Sequence, residues 1–460
     1  MTVITIDKTI CTGCRECANV CPVGAIEGTR GQPQVINTER CIMCGQCVQK
    51  CKSYVSPIAN GDGAYEKIRA ERGLPETVKE PLFAAHNVSH IAKVKTALAD
   101  PNVITMVQSA PAVRVSIAED FGAPLGTPAA GKLAAALRRL GFDYVYDTNF
   151  TADLTIMEEG TELIGRVTRG GTLPMMTSCC PAWVTYLERN YPELKDHLSS
   201  CKSPQQMMGA VMKTYGAGLN GLEPAKIFSV SVMPCTCKEF ECSREEMCDS
   251  GYRDVDAVLT TRELSWLIKD MEIDFLALPD EEFDNPLGDY TGAGTIFGVT
   301  GGVMEAAIRT GYELITGRPI PALEVTPVRG TEGFRVADIQ VGDLTLKVGV
   351  VTGLKNVAPV MEAIKEGRCD LHFIEVMTCP EGCVSGGGQP KLLMDADYAL
   401  AYAARRESTF AHDRNLPLRK SHENPAIKKI YDEFLHEPCG HKSHELLHTH
   451  YCIGADGGSK

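Results

Sequence analysis

Residues 228–235 read FSVSVMPC, an apolar, β-branched run that stops at Met233-Pro234-Cys235. Such a run predicts a short buried strand, because β-branched side chains suit the pleated backbone and a proline cannot donate to the sheet ladder. The same arrangement recurs in VITMVQSAP (103–111), MMTSCCP (175–181) and FIEVMTC (373–379), each ending at a cysteine or at Ala-Pro. With YVYD (144–147), LKVGVV (346–351) and LHFIEV (371–376), these runs alternate with helix-like segments such as AAGKLAAALRRLGF (129–142) and REEMCDSGYRDVDAV (244–258). The alternation predicts an α/β fold with mostly parallel sheet. Ligands in such sheets bind beyond the carboxyl ends of strands, so the cysteine-bearing ends are expected to converge on one pocket.

The chain has 460 residues, 44% of them hydrophobic, enough for a large core and two or three domains. Its formal charge of −13 argues against nucleic acid or an anionic membrane as the main partner. The N-terminal MTVITIDKTIC lacks the basic and apolar regions of an export signal, and no apolar run is long enough to span a bilayer, so a cytoplasmic protein without membrane insertion is expected. Twenty cysteines in such a chain point to metal–sulfur chemistry, because a reducing compartment does not maintain disulfide frameworks.

Residues 1–56 contain a repeat, CTGCRECANVCP at Cys11, Cys14, Cys17 and Cys21, then CIMCGQCVQKC at Cys41, Cys44, Cys47 and Cys51. Both have the C-x2-C-x2-C-x3-C spacing, and the region resembles a bacterial ferredoxin domain with two 4Fe-4S clusters. In that pattern the fourth cysteine of each run serves the other cluster, giving Cys11, Cys14, Cys17 with Cys51 and Cys41, Cys44, Cys47 with Cys21. Zinc sites are usually built from separated cysteine pairs and fit this spacing poorly. Residues 57–101 are charged and alanine-containing and are expected to form a helical connection. A large domain follows at 102–451, then a tail at 452–460.

Three stretches of the large domain carry thiols at strand-to-loop transitions: TSCCPAW (177–183), MPCTCKEFE (233–241) and EVMTCPEGCVSGGGQP (375–390). An isolated cysteine of this kind is most often an inert buried thiol, but three such stretches together point to a cluster site. Pro181 suits the first position of a helix, which would bring backbone N–H groups to Cys180 and favour its thiolate. Gly386, Gly387 and Gly388 suit close packing against something bulky. Cys179 and Cys180 are neighbours that cannot easily serve one metal centre, so one of the two thiols needs a different role.

These stretches resemble the three signature motifs of the iron-iron hydrogenases. The likeness extends to DTNFTADLTIMEEGTEL (147–163), SPQQMMGA (203–210), GAGTIFGVTGGVMEA (292–306) and RKSHENPAIKKIY (419–431). It implies two small parallel sheets flanked by helices, with an H-cluster between the lobes. By the resemblance Cys180, Cys235, Cys379 and Cys383 hold a 4Fe-4S subcluster, and Cys383 bridges to a two-iron subsite bearing CO, cyanide and a dithiolate amine. Lys238 would donate to one cyanide, with Ser203 and Ala110-Pro111 around the other, while Met233, Met377 and Phe297 keep the subsite dry. Cys179 would relay a proton, continued by Glu159, Ser199, Glu162 and Arg166. Read without the resemblance, Glu159, Glu162 and Arg166 lie on one helix face and describe a solvated surface with a Glu162–Arg166 pair.

Two features depart from the common family pattern: Ala182 where many members have glycine, which suggests a less-studied subgroup, and Cys237 where small residues are usual. Cys201, Cys237, Cys242, Cys248, Cys369, Cys439 and Cys452 are left over and expected mostly as free thiols, with an extra site at Cys237, Cys242 and Cys248 as the alternative. The His- and Cys-rich PCGHKSHELLHTHYC (438–452) has metal-binding composition, but HELLHTHY resembles the family's C-terminal helix, and a helix is expected. The resemblance implies reversible interconversion of hydrogen with protons and electrons, a ferredoxin-type carrier and dedicated maturation proteins. A hydrogen sensor and a non-catalytic iron–sulfur assembly protein share the fold. Retention of Cys179, Lys238 and the triple glycine favours catalysis.

Overall fold

The computed structural model describes residues 3–58, 63–392 and 395–451; the tail from Cys452 onward lies outside them. In the N-terminal unit, Glu16–Val20 and Gln46–Lys50 are short helices packed on one another, each entered through a left-handed residue, Arg15 (φ 69°) and Gly45 (φ 74°). The connection expected to be helical has helices at Ala64–Glu71 and Ile91–Ala99. Between them it also carries two strands that return to the cluster unit. Leu82–Phe83 pairs antiparallel with Tyr54–Val55, and Ala85–Asn87 pairs antiparallel with Ile4–Ile6. Two apolar residues on a short segment left no periodicity to read.

The large domain is built on two four-stranded sheets. The first runs Ala257–Thr260, Ile227–Met233, Ile104–Ser109, Tyr144–Asp147, all parallel. The second runs Phe334–Val341, Leu344–Thr352, Phe373–Met377, Met175–Met176, and its first pair is an antiparallel hairpin rather than part of a purely parallel sheet. The helix-like segment at 244–258 is turns ending in the strand Ala257–Thr260. Gly251 (φ 85°) breaks the backbone there, and Arg244, held by Glu188 at 3.0 Å, ties the turns to a neighbouring helix.

The N-terminal unit is not a separate bead. Val3, Ile4, Ile42 and Val48 share one buried cluster with Trp183, Leu187, Ile374 and Val376 of the large domain. Burying such side chains is worth about 1.5–3 kcal/mol each. Arg189 fixes the seam by donating to the carbonyls of Glu39 (2.7 Å) and Cys41 (2.8 Å). No helix among the described residues is long and apolar enough to cross a membrane.

Candidate active site and cluster sites

The carboxyl ends of strands from both sheets open into one cavity lined by Ala110, Pro111, Cys179, Cys180, Met233, Cys235, Lys238, Phe297, Met377, Cys379 and Cys383. Cys180 caps the helix Pro181–Asn190, with Pro181 at its first position. Its backbone is extended (φ −98°, ψ 101°), and successive side chains on extended backbone point to opposite sides. The adjacent thiols accordingly pack against different hydrophobic clusters, Cys180 against the one with Trp183 and Cys179 against the one with Phe297; Cys180 Sγ lies 3.3 Å from Thr378 Oγ1, and the backbone carbonyl of Cys179 accepts from Lys238 Nζ at 3.0 Å.

Burial pushes the thiols of Cys179, Cys379 and Cys383 up, whereas the hydrogen bond from Cys237 Sγ, 3.6 Å away, draws Cys235 down. Thiolates in so dry a space need cations beside them, and the donor set of Cys180, Cys235, Cys379 and Cys383 suits an iron–sulfur cluster. Burial opposes the charge on Lys238, but Glu241 and the neighbouring thiols raise its pKa to about 12.

The sequence reasoning missed Glu241. It is buried and accepts from Lys238 (2.9 Å), Gln205 (2.9 Å) and Ser203 (2.8 Å) through one carboxylate oxygen. Ser203 is thus satisfied by Glu241 and does not line the cavity. The i,i+3 spacing of Lys238 and Glu241 within the quoted motif was the available signal.

A second cavity is lined by Cys21, Cys41, Cys44 and Cys47. Cys17 feels the charges of Cys51, Cys11 and Cys14, which form the other crossed set. Cys44 forms part of the wall of both this second cavity and the strand-end cavity. Gln46 also bridges the two regions, its amide donating to Cys379 Sγ (3.2 Å) and to the carbonyl of Ser385 (3.0 Å). The triple glycine serves this seam. A Cβ on Gly387 would meet Gly45 Cα at 2.5 Å and the Cys44 carbonyl at 2.6 Å, so the bulky neighbour is backbone of the cluster unit.

Glu159, Glu162 and Arg166 share the long helix Thr148–Arg169, as the spacing indicated. Their face is packed rather than solvated: Glu159 is buried, and Glu162 accepts from Arg166 (2.7 Å) and Ser199 Oγ (2.9 Å). Burial, reinforced by Glu162, raises Glu159 to about 8, so it holds its proton at neutral pH. Glu159 in turn adds to the upward push on Cys179.

The extra site at Cys237, Cys242 and Cys248 does not form. Cys242 donates to the carbonyl of Glu239 and Cys248 to that of Glu245, each within its own turn.

Residues 103–387 match the family described as iron only hydrogenase large subunit, C-terminal domain. The chain belongs to the iron-only hydrogenases. Residues 399–452 match the iron hydrogenase small subunit and residues 3–52 a 4Fe-4S dicluster domain. As an iron-only hydrogenase it carries an H-cluster and 4Fe-4S clusters. The chain is 47% identical to the NADP-reducing hydrogenase subunit HndD of Solidesulfovibrio fructosivorans, over 90% of this chain and 73% of the relative. It is 44% identical to the periplasmic [Fe] hydrogenase large subunit of Nitratidesulfovibrio vulgaris, over 84% of this chain and 86% of the relative. A solved structure of [FeFe]-hydrogenase HydA1 from Chlamydomonas reinhardtii superposes with a TM-score of 0.70 at 43% identity, covering 80% of this chain and 99% of that one.

Proposed function

We propose that this chain interconverts hydrogen with protons and electrons at an H-cluster held by Cys180, Cys235, Cys379 and Cys383. The observation that carries the assignment is the meeting of these cysteines with Cys179 and Lys238 in one apolar cavity at the ends of both sheets. When bound, the H-cluster supplies the site of hydrogen cleavage or formation and of electron exchange. Met233, Met377 and Phe297 exclude water from it, which strengthens every charge interaction inside. Lys238, fixed by Glu241 and the Cys179 carbonyl, keeps one further N–H to offer an anionic ligand group. Ala110 and Pro111 line the same cavity, and Ser203 is held outside its lining by Glu241.

Cys179 carries a proton between the cavity and Glu159, which passes it through Ser199 to Glu162. Arg166 holds Glu162 in place at the outer end. Glu159 suits this role because its pKa near 8 lets it take and give a proton close to neutral pH. Electrons pass through two 4Fe-4S clusters, one on Cys21, Cys41, Cys44 and Cys47 and the other on Cys11, Cys14, Cys17 and Cys51. The shared Cys44 wall and the Gln46–Cys379 bond support that route. A ferredoxin-type carrier exchanges electrons at the outer cluster, maturation proteins install the two-iron subsite, and the site of action is the cytoplasm. We divide the chain into the cluster unit at 1–56, the connection at 57–101 and the catalytic domain at 102–451.

Anaerobically matured protein, assayed with a low-potential dye, should evolve and oxidise hydrogen and show infrared bands of CO and cyanide. Bands without turnover in either direction would favour a sensor or assembly role.

A further inference from the structure

The His- and Cys-rich C-terminal segment forms a helix at His441–Leu447, so only the first half of the HELLHTHY stretch is helical and His448 is extended, bridged to Cys201. Cys439 precedes the helix, His448 follows it, and both face Glu158 on the long helix Thr148–Arg169. One ligand atom from each of the three lies within 4.8 Å of the others. We propose that Glu158, Cys439 and His448 form a binding site for a single divalent d-block cation of the zinc class, separate from the iron clusters.

Thiolate, imidazole and carboxylate are the donors such a cation takes. A thiolate and a carboxylate together neutralise a 2+ ion, which lets the charge be held where Glu158 and His448 are buried. His444, exposed and four residues before His448, has its ring 4.3 Å from that ring but is not among the donors within 4.8 Å of one another, so water fills the remaining coordination.

The groups are already oriented. Glu158 accepts from Tyr431 OH at 2.5 Å and from the Cys439 backbone N–H at 2.6 Å, and its Oε2 lies 3.0 Å from His448 Nε2. Among the described residues, Cys439 Sγ hydrogen-bonds the Glu158 carbonyl alone, at 3.3 Å. Binding releases the thiol proton and the Nε2 proton of the imidazole to solvent if that nitrogen carries one. His448 Nδ1, 2.8 Å from Ser200 Oγ, then becomes the donor to that hydroxyl, the outer-shell bond that metal-bound histidines characteristically make. An overlapping set, Glu162, Cys201 and His448, also lies within 4.8 Å, but its carboxylate is already paired with Arg166 and Ser199.

The test uses full-length protein carrying its iron–sulfur clusters, incubated anaerobically with a small excess of zinc and then desalted. Elemental analysis should find one zinc per chain, and absorption at the zinc edge should show a mixed shell with a single sulfur. Cys439→Ser and His448→Gln should each lose most of that zinc with iron content unchanged. Cys439→Ser removes only one weak hydrogen bond and so keeps the fold. No retained zinc, equal retention in both variants, or a shell of four sulfurs, which would place zinc in the ferredoxin-type cysteines, each overturns the site.

Discussion

Replacing Gly387 with alanine tests whether the packing of backbone on backbone at the seam connects the electron route to the catalytic cavity. The added Cβ would sit 2.5 Å from Gly45 Cα, 2.6 Å from the Cys44 carbonyl oxygen and 2.6 Å from the Gly45 carbonyl carbon. Ordinary carbon contacts begin near 3.5 Å, so relief requires a shift of about 1 Å. All three neighbours are backbone, and no side chain can swing aside. Overpacking of this kind costs about 1–3 kcal/mol. The displaced loop carries Cys44 and leads into Gln46, so the 3.2 Å Gln46–Cys379 bond would open to about 4 Å, beyond hydrogen-bonding range. Turnover with a reduced ferredoxin-type carrier should fall, while hydrogen–deuterium exchange, which needs no external electrons, should persist. Gly311→Ala is the control, since nothing lies within 4 Å of its Cβ position. Equal losses of exchange and carrier-driven turnover, or no loss of thermal stability and turnover, would refute the reasoning.

The adjacent thiols should respond oppositely to substitution. Cys180→Ala should lower iron content, whereas Cys179→Ala should keep the infrared bands and lose turnover by about 10²–10⁴, with Cys179→Asp retaining more. Glu159→Gln should slow turnover yet stabilise the fold above pH 7. The folded pKa of about 8 exceeds the unfolded value, so the stability this carboxyl contributes is complete below pH 4.5 and is lost as pH rises toward 8; denaturation midpoints of the parent and variant at pH 5 and pH 8 check the sign. Glu241→Gln leaves Lys238 buried without its anion and should cost about 3–5 kcal/mol, measured by chemical denaturation, with a smaller loss expected if water enters beside Lys238.

Much of the site could be read from the sequence because its residues mark the ends of regular elements. Met233-Pro234-Cys235 and Met377-Thr378-Cys379 each begin on the last residue of a buried strand, and Cys180-Pro181 starts a helix, so short-range pattern located them. The strand-end rule then indicated that they would meet. What stayed hidden depends on contacts distant in sequence. The antiparallel hairpin at Phe334–Val341 is the exception, since Gly342-Asp343 between two β-rich runs is a local turn signal, whereas Leu82–Phe83 is too short for periodicity. The burial of Glu159 is equally non-local: its helix face looks solvated until the segment 198–201 packs on it, and the same packing raises its pKa.

The glycines show the same division in physical terms. Three consecutive glycines announce that something approaches closely, but not what. In the folded chain each has a different neighbour: Gly386 meets the Pro234 carbonyl, Gly387 meets Gly45, and Gly388 meets Thr260. One short loop therefore holds the cysteine of the first sheet, the cluster unit and the Thr260 cap of the helix Thr261–Asp270 in register. Since Cys379 and Cys383 precede that loop, the Gly386 contact sets these thiols relative to Cys235, while the Gly387 contact sets the Cys44 loop relative to them. The cluster unit thus forms one wall of the catalytic cavity, and hydrophobic burial across the seam, from Ile42 and Val48 to Trp183 and Ile374, keeps that wall in place. A chain cut near residue 102 would lose that wall and expose Trp183 and Ile374, so its loss of turnover would report on the cavity as well as on the missing electron route.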